Sequence, residues 1–259
     1  MEIIAIANQK GGVGKSTTAV NLTASLAAKR KHVLLIDLDP YGSATSGTGV
    51  DKNQLELTIA DVLLDGVSLS EAIVNSPAGF DVIGANRDLA GMDITLMSKT
   101  NSHELFKTAM AQLVNDQIAA NKPAYDYVII DCAPSLNLLT INALVATDSV
   151  IIPMQCEYYA LEGLADLSQT IERLTELNPK LYIRGVVRTL FDARNTLARD
   201  VSAELEAHFG EIMYKTHIPR NIRLAEAPAH GLPVIAYERW SKGARAYQKL
   251  AAEVMKQSE

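Results

Sequence analysis

A glycine-rich segment near the start of the chain most constrains the fold: residues 8–17, with the sequence NQKGGVGKST. It follows an apolar run, residues 3–7, typical of a buried strand, and it leads into residues 18–29, whose apolar spacing predicts a helix. Glycines let the backbone approach an anion closely, and a helix start offers unpaired N–H groups. The strand, glycine loop and helix therefore predict a phosphate-binding loop.

Two side chains of this loop have the chemistry of a nucleotide site. Lys15 is expected to reach the outer phosphates, and the Ser16 hydroxyl is expected to ligate magnesium. The loop departs from the standard pattern G-x-x-x-x-G-K-[ST], because Gln9 stands where the first glycine belongs. A second lysine, Lys10, stands just before the glycines. The strand context and the two lysines favour a phosphate loop over a simple tight turn.

Aspartates end two further apolar runs of the sequence. Asp37 and Asp39 come at the end of the run that begins at Val33, and Asp131 ends the run that begins at Tyr127. In an open α/β sheet, ligands bind at the carboxyl ends of the strands. We therefore expect Asp37 and Asp39 to lie near the phosphate loop, and Asp131 to hold the magnesium shell.

Composition and periodicity predict the fold class. The chain has 259 residues, of which 48% are hydrophobic, and this suits one large α/β domain over residues 1–259. Strands alternate with helices, which implies a mainly parallel, twisted sheet with helices on both faces. Other strands are predicted at 80–84, 150–153 and 181–187, and helices at 57–64, 68–74, 102–120, 161–177, 197–209 and 243–256. A polar connection is expected between 80–84 and the helix at 102–120, which is expected to have Ser102 as its cap and Ile118 on its apolar face. Residues 43–50 are expected to form a mobile loop.

Several classes of protein are disfavoured by residue usage. Cys132 and Cys156 form no CxxC pair, and the five histidines lack metal-binding spacing, so neither a structural zinc nor a disulfide is expected. No signal peptide is recognisable, and no apolar run reaches the roughly 20 residues that cross a bilayer. These features predict a cytoplasmic protein with no membrane partner.

The charge distribution is uneven. The net charge is −6, but residues 184–249 hold eleven Lys or Arg against seven Asp or Glu, so this segment is +4 and the remainder is −10. A local basic face can bind DNA phosphates while an acidic remainder keeps the protein soluble. The alternative is that scattered arginines only solvate helices, and composition alone does not separate the two.

The motifs taken together resemble the ParA/Soj partition ATPases, which belong to the deviant Walker A, MinD-like group of phosphate-loop NTPases. The resemblance rests on the loop at 10–17, on LIDLDP at 35–40 and on VIIDCAPS at 128–135. Two later stretches, 155–163 and 218–228, resemble motifs that separate this branch from MinD, from iron-protein reductases and from cobyrinate-type synthetases. The similarity spans nearly the whole chain.

The resemblance implies ATP and Mg²⁺ as cofactors and assigns roles to residues. Lys10 would reach across a homodimer to the partner's phosphates, as an arginine finger does. Asp39 would position the attacking water, Asp37 would support the site, and Asp131 would bind magnesium through water. The implied nucleotide contacts are Lys10, Gly11, Gly12, Val13, Gly14, Lys15, Ser16, Thr17 and, against the adenine, Pro219 and Asn221.

The resemblance also implies a cellular function. An ATP-bound homodimer would bind double-stranded DNA without sequence preference through Arg194 and Arg223, on the nucleoid. Hydrolysis to ADP and phosphate, stimulated by a ParB/Spo0J-type centromere-binding protein, would release it and so serve chromosome or plasmid segregation. The N-terminal helix-turn-helix extension of longer plasmid relatives is not expected.

Three positions depart from the family pattern. Tyr41 stands where glutamine is usual, and a bulky aromatic there is expected to slow hydrolysis or change its regulation. Ala133 replaces a usual proline, with little expected effect. Arg188 stands where an apolar residue is usual, and it either extends the basic face or forms a structural ion pair.

Three other functions remain as alternatives. A dinucleotide-binding oxidoreductase is suggested by the half-match of residues 12–17 to G-x-G-x-x-G, but it would leave Lys15 and Asp131 without roles. An iron-sulfur ATP-dependent reductase would use Cys132 and Cys156 across a dimer. A MinD-like positioning ATPase would act on a membrane surface or other cargo through the closing helix, residues 243–259.

Overall fold

Seven strands form one sheet in the computed structural model, which describes residues 1–258. The strands are β1 (Glu2–Ile6), β2 (Val33–Leu38), β3 (Val74–Asn75), β4 (Asp81–Ile83), β5 (Tyr127–Cys132), β6 (Ser149–Gln155) and β7 (Tyr182–Thr189). Their order across the sheet is β3-β4-β2-β5-β1-β6-β7. Every neighbouring pair is parallel except β3 and β4, so the predicted mainly parallel sheet is confirmed.

Helices connect these strands and cover the sheet. They are α1 (Lys15–Ala27), α2 (Ser43–Gly47), α3 (Ile59–Asp65), α4 (Leu69–Ala72), α5 (Met92–Met97), α6 (Leu105–Ala119), α7 (Leu138–Val145), α8 (Ala160–Leu174), α9 (Thr196–Phe209), α10 (Ile222–Glu226), α11 (Val234–Tyr237) and α12 (Lys242–Gln257). Short 3-10 turns lie at Arg87–Leu89, Gly210–Ile212 and Ala227–His230.

Alternate residues of the central strands pack into two separate cores, as a strand's period of two requires. Ile4 and Ile6 of β1 join a core that includes the buried side chains of α1 and α12. Ile3 and Ala5 face the opposite core, with buried residues of α3 to α9. Helices therefore cover both faces, and the strand interiors are apolar throughout, as expected of a doubly covered parallel sheet.

The strand register brings the aspartates to one end of the sheet. Asp37 of β2 and Asp131 of β5 are direct partners across neighbouring strands, and Asp131 also pairs with Ile6 at the end of β1. The phosphate loop begins just after Ile6. All three strands are parallel, so their carboxyl ends meet at the same edge, as predicted.

The prediction of a mobile loop at 43–50 is wrong for the first part of that segment, because Ser43–Gly47 form helix α2. The Thr45 backbone N–H and hydroxyl both donate to the buried Asp37 carboxylate, at 2.8 Å each. Gly42 starts the helix from a left-handed conformation with φ of 59°. Composition suggested a loop because these residues are small and polar. The contact between Thr45 and Asp37 of β2 holds them in a helix instead, and local composition does not show that contact.

Two features of the predicted helix at 102–120 are also wrong. Ser102 does not cap it: the helix begins at Leu105, and Asn142 binds both the Ser102 carbonyl (2.6 Å) and the Phe106 N–H (3.3 Å). Ile118 was expected on the buried face but is 72% exposed. Five residues beyond Leu113 correspond to a rotation of about 140° from the buried side.

Several short elements were not predicted. Helix α7 follows Asn137, whose side chain accepts from the Thr140 N–H, an N-cap signal present in the sequence. Val74 was expected to end a helix but lies in the two-residue strand β3, and α5 interrupts a segment read as a polar connection. The closing helix is confirmed, with its apolar side buried.

Candidate functional site

The glycine loop between β1 and α1 has the backbone of an anion site. Gly12 and Gly14 adopt φ values of 75° and 88°, a region that L-residues with side chains rarely adopt. Helix α1 begins at Lys15, has no side-chain cap and carries no acidic residue in its first turn. Its first N–H groups and the positive end of its dipole are therefore available to a phosphate.

Two neighbouring strands hold this loop in place. Gln155, the last residue of β6, donates to the Gly12 carbonyl at 2.9 Å, and Thr189, the last residue of β7, donates to the Val13 carbonyl at 2.7 Å. Asn8 accepts from the Lys10 N–H at 2.9 Å. Sequence reasoning missed Gln155 and Thr189 as loop contacts, and the only signal was that Gln155 begins one of the family-like stretches.

Lys15 lies under the loop rather than in solvent. Its side chain is buried, and its Nζ donates to the Lys10 carbonyl at 3.1 Å. Burial lowers the pKa of Lys15, while the nearby carboxylates of Asp131 and Asp39 act in the opposite direction. The predicted closeness of these aspartates to the phosphate loop is therefore what the structure shows.

The two in-register aspartates have very different surroundings. Asp37 accepts from the N–H and hydroxyl of Thr45 and from the Asp39 N–H, yet complete burial raises its pKa to about 6. Both oxygens of Asp131 are buried and have no hydrogen-bond partner of ordinary geometry. Burial, and then the charge of Asp37, raise the pKa of Asp131 well above its ordinary value.

An unpartnered buried carboxylate is costly unless something else compensates its charge. The Ser16 side chain lies near enough to Asp131 to lower its pKa, against the effect of burial. A hydroxyl and a free carboxylate beside a phosphate loop are the hard oxygen ligands that Mg²⁺ prefers, directly or through water. The residues present therefore fit a magnesium ion held next to a bound phosphate.

The Lys10 side chain contacts a neighbouring turn and not the inside of its own loop. Its ammonium group is ion-paired with Glu157, in the turn between β6 and α8, and both side chains are about half exposed. The pair keeps the Lys10 charge at the surface beside the phosphate loop, whereas Lys15 lies inside it. The two lysines predicted from the sequence thus have separate positions.

Asp39 and Tyr41 form the turn after β2. Asp39 is buried and accepts from the Tyr41 N–H at 2.9 Å. The Tyr41 side chain is 73% exposed. The aromatic ring therefore fills no core position, and its backbone is what the site uses.

A second feature is a groove of about 880 Å³ between the end of β7, the segment 215–220 and α12, which we call the basic groove. Six cationic side chains line it: Arg194, Lys215, Arg220, Lys242, Arg245 and Lys249. Asp192 is the one carboxylate among the lining residues, and it is paired with Arg194. Burial, together with the charges of Arg188 and Lys249, lowers the pKa of His217, which also lines the groove.

The predicted DNA-contacting arginines do not share this groove. Arg194 lines it, 91% exposed, and donates to Asp192 at 2.8 and 3.0 Å. Arg223 lies on α10, outside the lining residues, and pairs with Glu226 at 2.7 Å. Arg188 is buried, paired with Glu206 and bonded to Ser202 at 2.8 Å, so it forms a structural ion pair rather than extending the basic face.

Pro219 and Asn221, expected against the adenine, lie where the basic groove meets α10. Pro219 lines the groove. Asn221 precedes α10 without capping it, and its side-chain oxygen is buried without a hydrogen-bond partner. An unpartnered buried acceptor is suited to a ligand N–H.

The alternatives fit the site less well. Cys132 and Cys156 are both buried, and burial raises the pKa of each thiol, which is the opposite of what a metal-ligating thiolate on a dimer surface requires. Tyr247, Leu250, Ala251 and Val254 of α12 are buried in the core, so the apolar side of the closing helix is already covered. Among residues 1–258, no helix has the length and apolar character needed to traverse a bilayer.

Comparison with known proteins relates the chain to named families. A family model described as an AAA domain matches residues 1–183. The sporulation initiation inhibitor protein Soj of Bacillus subtilis (strain 168) is 49% identical over 255 residues, covering 98% of both chains. The chromosome partitioning protein ParA of Caulobacter vibrioides (strain NA1000 / CB15N) is 47% identical over 257 residues, covering 98% of this chain and 94% of that protein.

A solved structure resembles the chain over nearly its whole length. The crystal structure of a cobyrinic acid a,c-diamide synthase from Mycobacterium smegmatis, with bound ATP analogue and magnesium, superposes with a TM-score of 0.82. It is 36% identical, and the match covers 98% of this chain and 94% of that chain.

Proposed function

The chain belongs to the ParA/Soj family of partition ATPases, and from that premise we propose that it hydrolyses ATP with Mg²⁺ to control its own attachment to DNA. One observation carries the proposal. The buried Lys15, the Ser16 hydroxyl and the unpartnered Asp131 carboxylate converge on one glycine loop whose helix start is free to bind an anion. A lysine, a hydroxyl and a free carboxylate are together the donor set that a magnesium-bound triphosphate needs.

Different residues are proposed to bind the phosphates, the magnesium ion and the base. The N–H groups of residues 11–17 bind the phosphates, and Lys15 gives up its bond to the Lys10 carbonyl to reach the outer phosphates. Ser16 and Asp131 hold magnesium, the latter through water; when bound, the ion neutralises charge on the phosphates. Asn221 accepts from the base, next to Pro219.

Asp39 is proposed to orient the attacking water. Its carboxylate lies close enough to Lys15 to influence the lysine pKa, so it faces the phosphate site. Asp37, whose carboxylate accepts three hydrogen bonds, holds the turn that carries Asp39. Hydrolysis then depends on how the turn after β2 presents Asp39.

The active form is proposed to be a homodimer with two nucleotides at its interface. Lys10 is at the surface beside the loop and about half exposed. In a dimer, the triphosphate bound to the second copy can therefore replace Glu157 as the partner of Lys10. A cation supplied from outside where charge develops stabilises the transition state. Dimerisation and turnover are therefore expected to depend on the same lysine.

The basic groove is proposed to bind the DNA backbone. Six cations around a single paired carboxylate form a concentrated positive surface in a chain whose net charge is −6. No recognition helix enters the proposal, so contact is with phosphates, independent of sequence and weakened by salt. Arg194 acts inside the groove, and Arg223 acts from α10 as a separate contact.

The partner that stimulates hydrolysis is proposed to be a ParB-type centromere-binding protein, with a chromosome or plasmid as cargo and the nucleoid as the surface. A ParA protein and a Soj protein are relatives at 47% and 49% identity, and this supports the proposal. The chain is proposed to act as a single ATPase domain over residues 1–259.

The test is steady-state ATP turnover, measured without DNA, with random-sequence duplex DNA, and with DNA plus a ParB-type protein. Slow turnover that rises in that order and requires Mg²⁺ is expected. The matched control is Lys15→Ala, which should be inactive in all three conditions. Turnover unaffected by both DNA and the ParB-type protein would contradict the partition function, and absence of any nucleotide binding would contradict ATP hydrolysis itself.

A further inference from the structure

The end of strand β7 touches both the phosphate loop and the basic groove. Thr189, its last residue, is 2% exposed, and its hydroxyl donates to the Val13 carbonyl at 2.7 Å. Its side chain also packs against the loop: a methyl group built on Gly14 would lie 3.9 Å from two Thr189 carbons. Residues 191–194, which follow within two positions, form one wall of the groove.

Thr189 has a counterpart on the neighbouring strand. Gln155 and Thr189 are register partners at the ends of β6 and β7, and they donate to the consecutive carbonyls of Gly12 and Val13. The loop position is thus set by one pair of strand ends. Of this pair, only Thr189 leads directly into the groove.

Backbone hydrogen bonds carry the connection to the opposite wall of the groove. The Ile218 N–H donates to the Arg188 carbonyl at 2.7 Å, and the Phe191 N–H donates to the Ile218 carbonyl at 3.0 Å. The Arg220 N–H donates to the Phe191 carbonyl at 3.2 Å. Three backbone hydrogen bonds therefore join segments 188–191 and 218–220, and both segments carry groove residues.

Leu190, between Thr189 and Phe191, has φ of 50°. Within residues 1–258 it is the one aliphatic residue among the four non-glycine residues with positive φ. An aliphatic side chain disfavours this conformation, which persists where the surroundings hold it on both sides. Here the surroundings are the phosphate loop, through Thr189, and the groove, through Phe191.

We propose that Thr189 and Leu190 form a joint that couples occupancy of the phosphate loop to the geometry of the basic groove, with Thr189 as the positioning residue. The inference rests on the proposed function, since it takes the two ligands to be a magnesium nucleotide and duplex DNA. A ligand that tightens the loop against Thr189 fixes the start of residues 191–194 and so sets the groove wall. A bound nucleotide then strengthens DNA binding by some factor, and by linkage DNA in the groove must strengthen nucleotide binding by that same factor.

The experiment measures that factor directly. The affinity of the full chain for a non-hydrolysable ATP analogue with Mg²⁺ is determined with and without saturating random-sequence duplex DNA. We expect DNA to raise the analogue affinity about fivefold or more in the wild type. Thr189→Val, which keeps the shape but removes the donor, should reduce the factor to below about twofold, whereas Thr189→Ser should retain it.

The outcomes separate this inference from the proposed function. Wild-type binding of both ligands with no coupling, or an undiminished factor in Thr189→Val, would overturn the joint and leave the ATPase proposal intact. If Thr189 were merely structural, its substitution would weaken the binding of each ligand alone but leave unchanged the ratio of analogue affinities with and without DNA. Failure of the wild type to bind the analogue or DNA would remove the proposed function, and the joint with it.

A second measurement applies if Thr189→Val does not fold. Hydrogen exchange of the wild type is followed with and without the analogue at the amides of 189–194 and 215–217, in the absence of DNA. Slower exchange in both segments on nucleotide binding is expected. Exchange that slows only at 11–17 would overturn the joint. Leu190→Asn, which adopts a positive φ more readily, should keep both the fold and the coupling factor.

Discussion

Lys10 is ion-paired with Glu157 of its own chain, across 147 positions of sequence. The lysine proposed to act on a partner's nucleotide is therefore occupied in the isolated chain. Because both side chains are about half exposed, the pair is a surface ion pair, which typically contributes about 0.2–1 kcal/mol. Dimerisation has to replace this contact, and the replacement has measurable consequences.

Releasing Lys10 should favour the dimer. Glu157→Gln is expected to lower the protein concentration at which the ATP-analogue complex dimerises by about two- to fivefold, as the loss of a surface ion pair implies. Analytical ultracentrifugation measures the shift. Glu172→Gln removes an exposed carboxylate from α8 without an ion pair and is the matched control. Weaker dimerisation of Glu157→Gln would show that Glu157 assists the interface instead.

Removing Lys10 should separate nucleotide binding from turnover. Lys10→Ala is expected to bind the ATP analogue about as well as the wild type, because Lys15 supplies the inner phosphate contact. Dimerisation or stimulated turnover should be lost. Unimpaired turnover in this variant would contradict the role across the dimer.

Lys15→Ala should abolish nucleotide binding. Lys15 is buried beside Asp131 and Asp39, so its loss removes the charge that faces the phosphates and leaves two carboxylates to repel them. Loss of a buried charged contact corresponds to a roughly 100-fold or greater drop in affinity. Isothermal titration with the ATP analogue and Mg²⁺ measures it, and circular dichroism checks that the fold is retained.

The Asp37 and Asp131 pair should make ligand-free stability depend on pH. The pKa of Asp37 is raised to about 6, and that of Asp131 is raised well above its ordinary value, so ionisation of either disfavours the folded state. Their contribution is fully present below about pH 4 and is lost as pH rises through 6 and above. Part of this loss should disappear in Asp131→Asn.

Urea unfolding between pH 5 and 8 measures the effect. At pH 8, Asp131→Asn is expected to be more stable than the wild type by on the order of 1–3 kcal/mol, because one buried charge is removed. Asp200→Asn, an exposed change on α9, is the control. Mg²⁺-dependent turnover should be lost in Asp131→Asn. Equal stability of variant and wild type across the range would contradict the pKa assignment.

Tyr41 should affect rate and not stability. Its side chain is 73% exposed, so no core packing depends on the ring, while its N–H donates to Asp39 and places the ring beside the turn that presents the water-orienting carboxylate. Tyr41→Gln, the residue usual in the family, is expected to raise turnover about three- to tenfold, in line with the sensitivity of rate to positioning. Tyr41→Phe should behave as the wild type. A lower rate in Tyr41→Gln would indicate that the ring assists hydrolysis.

Charge reversal in the basic groove should weaken DNA binding. Arg245→Glu and Lys249→Glu, four residues apart on α12, should each reduce the slope of log affinity against log salt by about 1 or more. Fluorescence anisotropy with random-sequence duplexes measures this. Lys256→Glu, on the last turn of the same helix and outside the groove, is the control. Equal losses in all three variants would indicate long-range charge rather than contact.

Arg223 provides a separate test of the DNA surface. It is outside the groove and paired with Glu226, yet the family resemblance implies contact with DNA. Arg223→Glu is expected to lose DNA binding while ATP binding is retained. Unchanged DNA affinity at moderate salt would restrict the surface to the basic groove.

Those parts of the site whose backbone conformation is determined by a short local segment were predictable from the sequence. Glycines at 12 and 14 are needed for positive φ, and the apolar runs before Asp37 and Asp131 define parallel strands, so the carboxyl-end cluster followed directly. Contacts between distant segments were not predictable. Helix α2 depends on Asp37 accepting from Thr45, and the partner of Lys10 lies on another loop, which no local pattern shows.

Arg188 illustrates the remaining ambiguity. Sequence alone allowed either a basic face or a structural ion pair. The choice depends on Ser202 and Glu206, which α9 brings over the end of β7. The assigned roles of Pro219, Asn221, Arg194 and Arg223, and a single domain over residues 1–259, stay predictions until the ligands are measured.

The order of strands also has an evolutionary consequence. The phosphate loop leaves the central strand β1, whereas the basic groove starts from β7, which ends the sheet two places away. Groove side chains of α12 such as Arg245 and Lys249 can therefore change without contacting the phosphate loop, which leaves descendants free to adapt to a new cargo. Thr189 is the buried residue that contacts the phosphate loop and leads into the variable groove. A lineage that retains hydrolysis is therefore expected to retain Thr189.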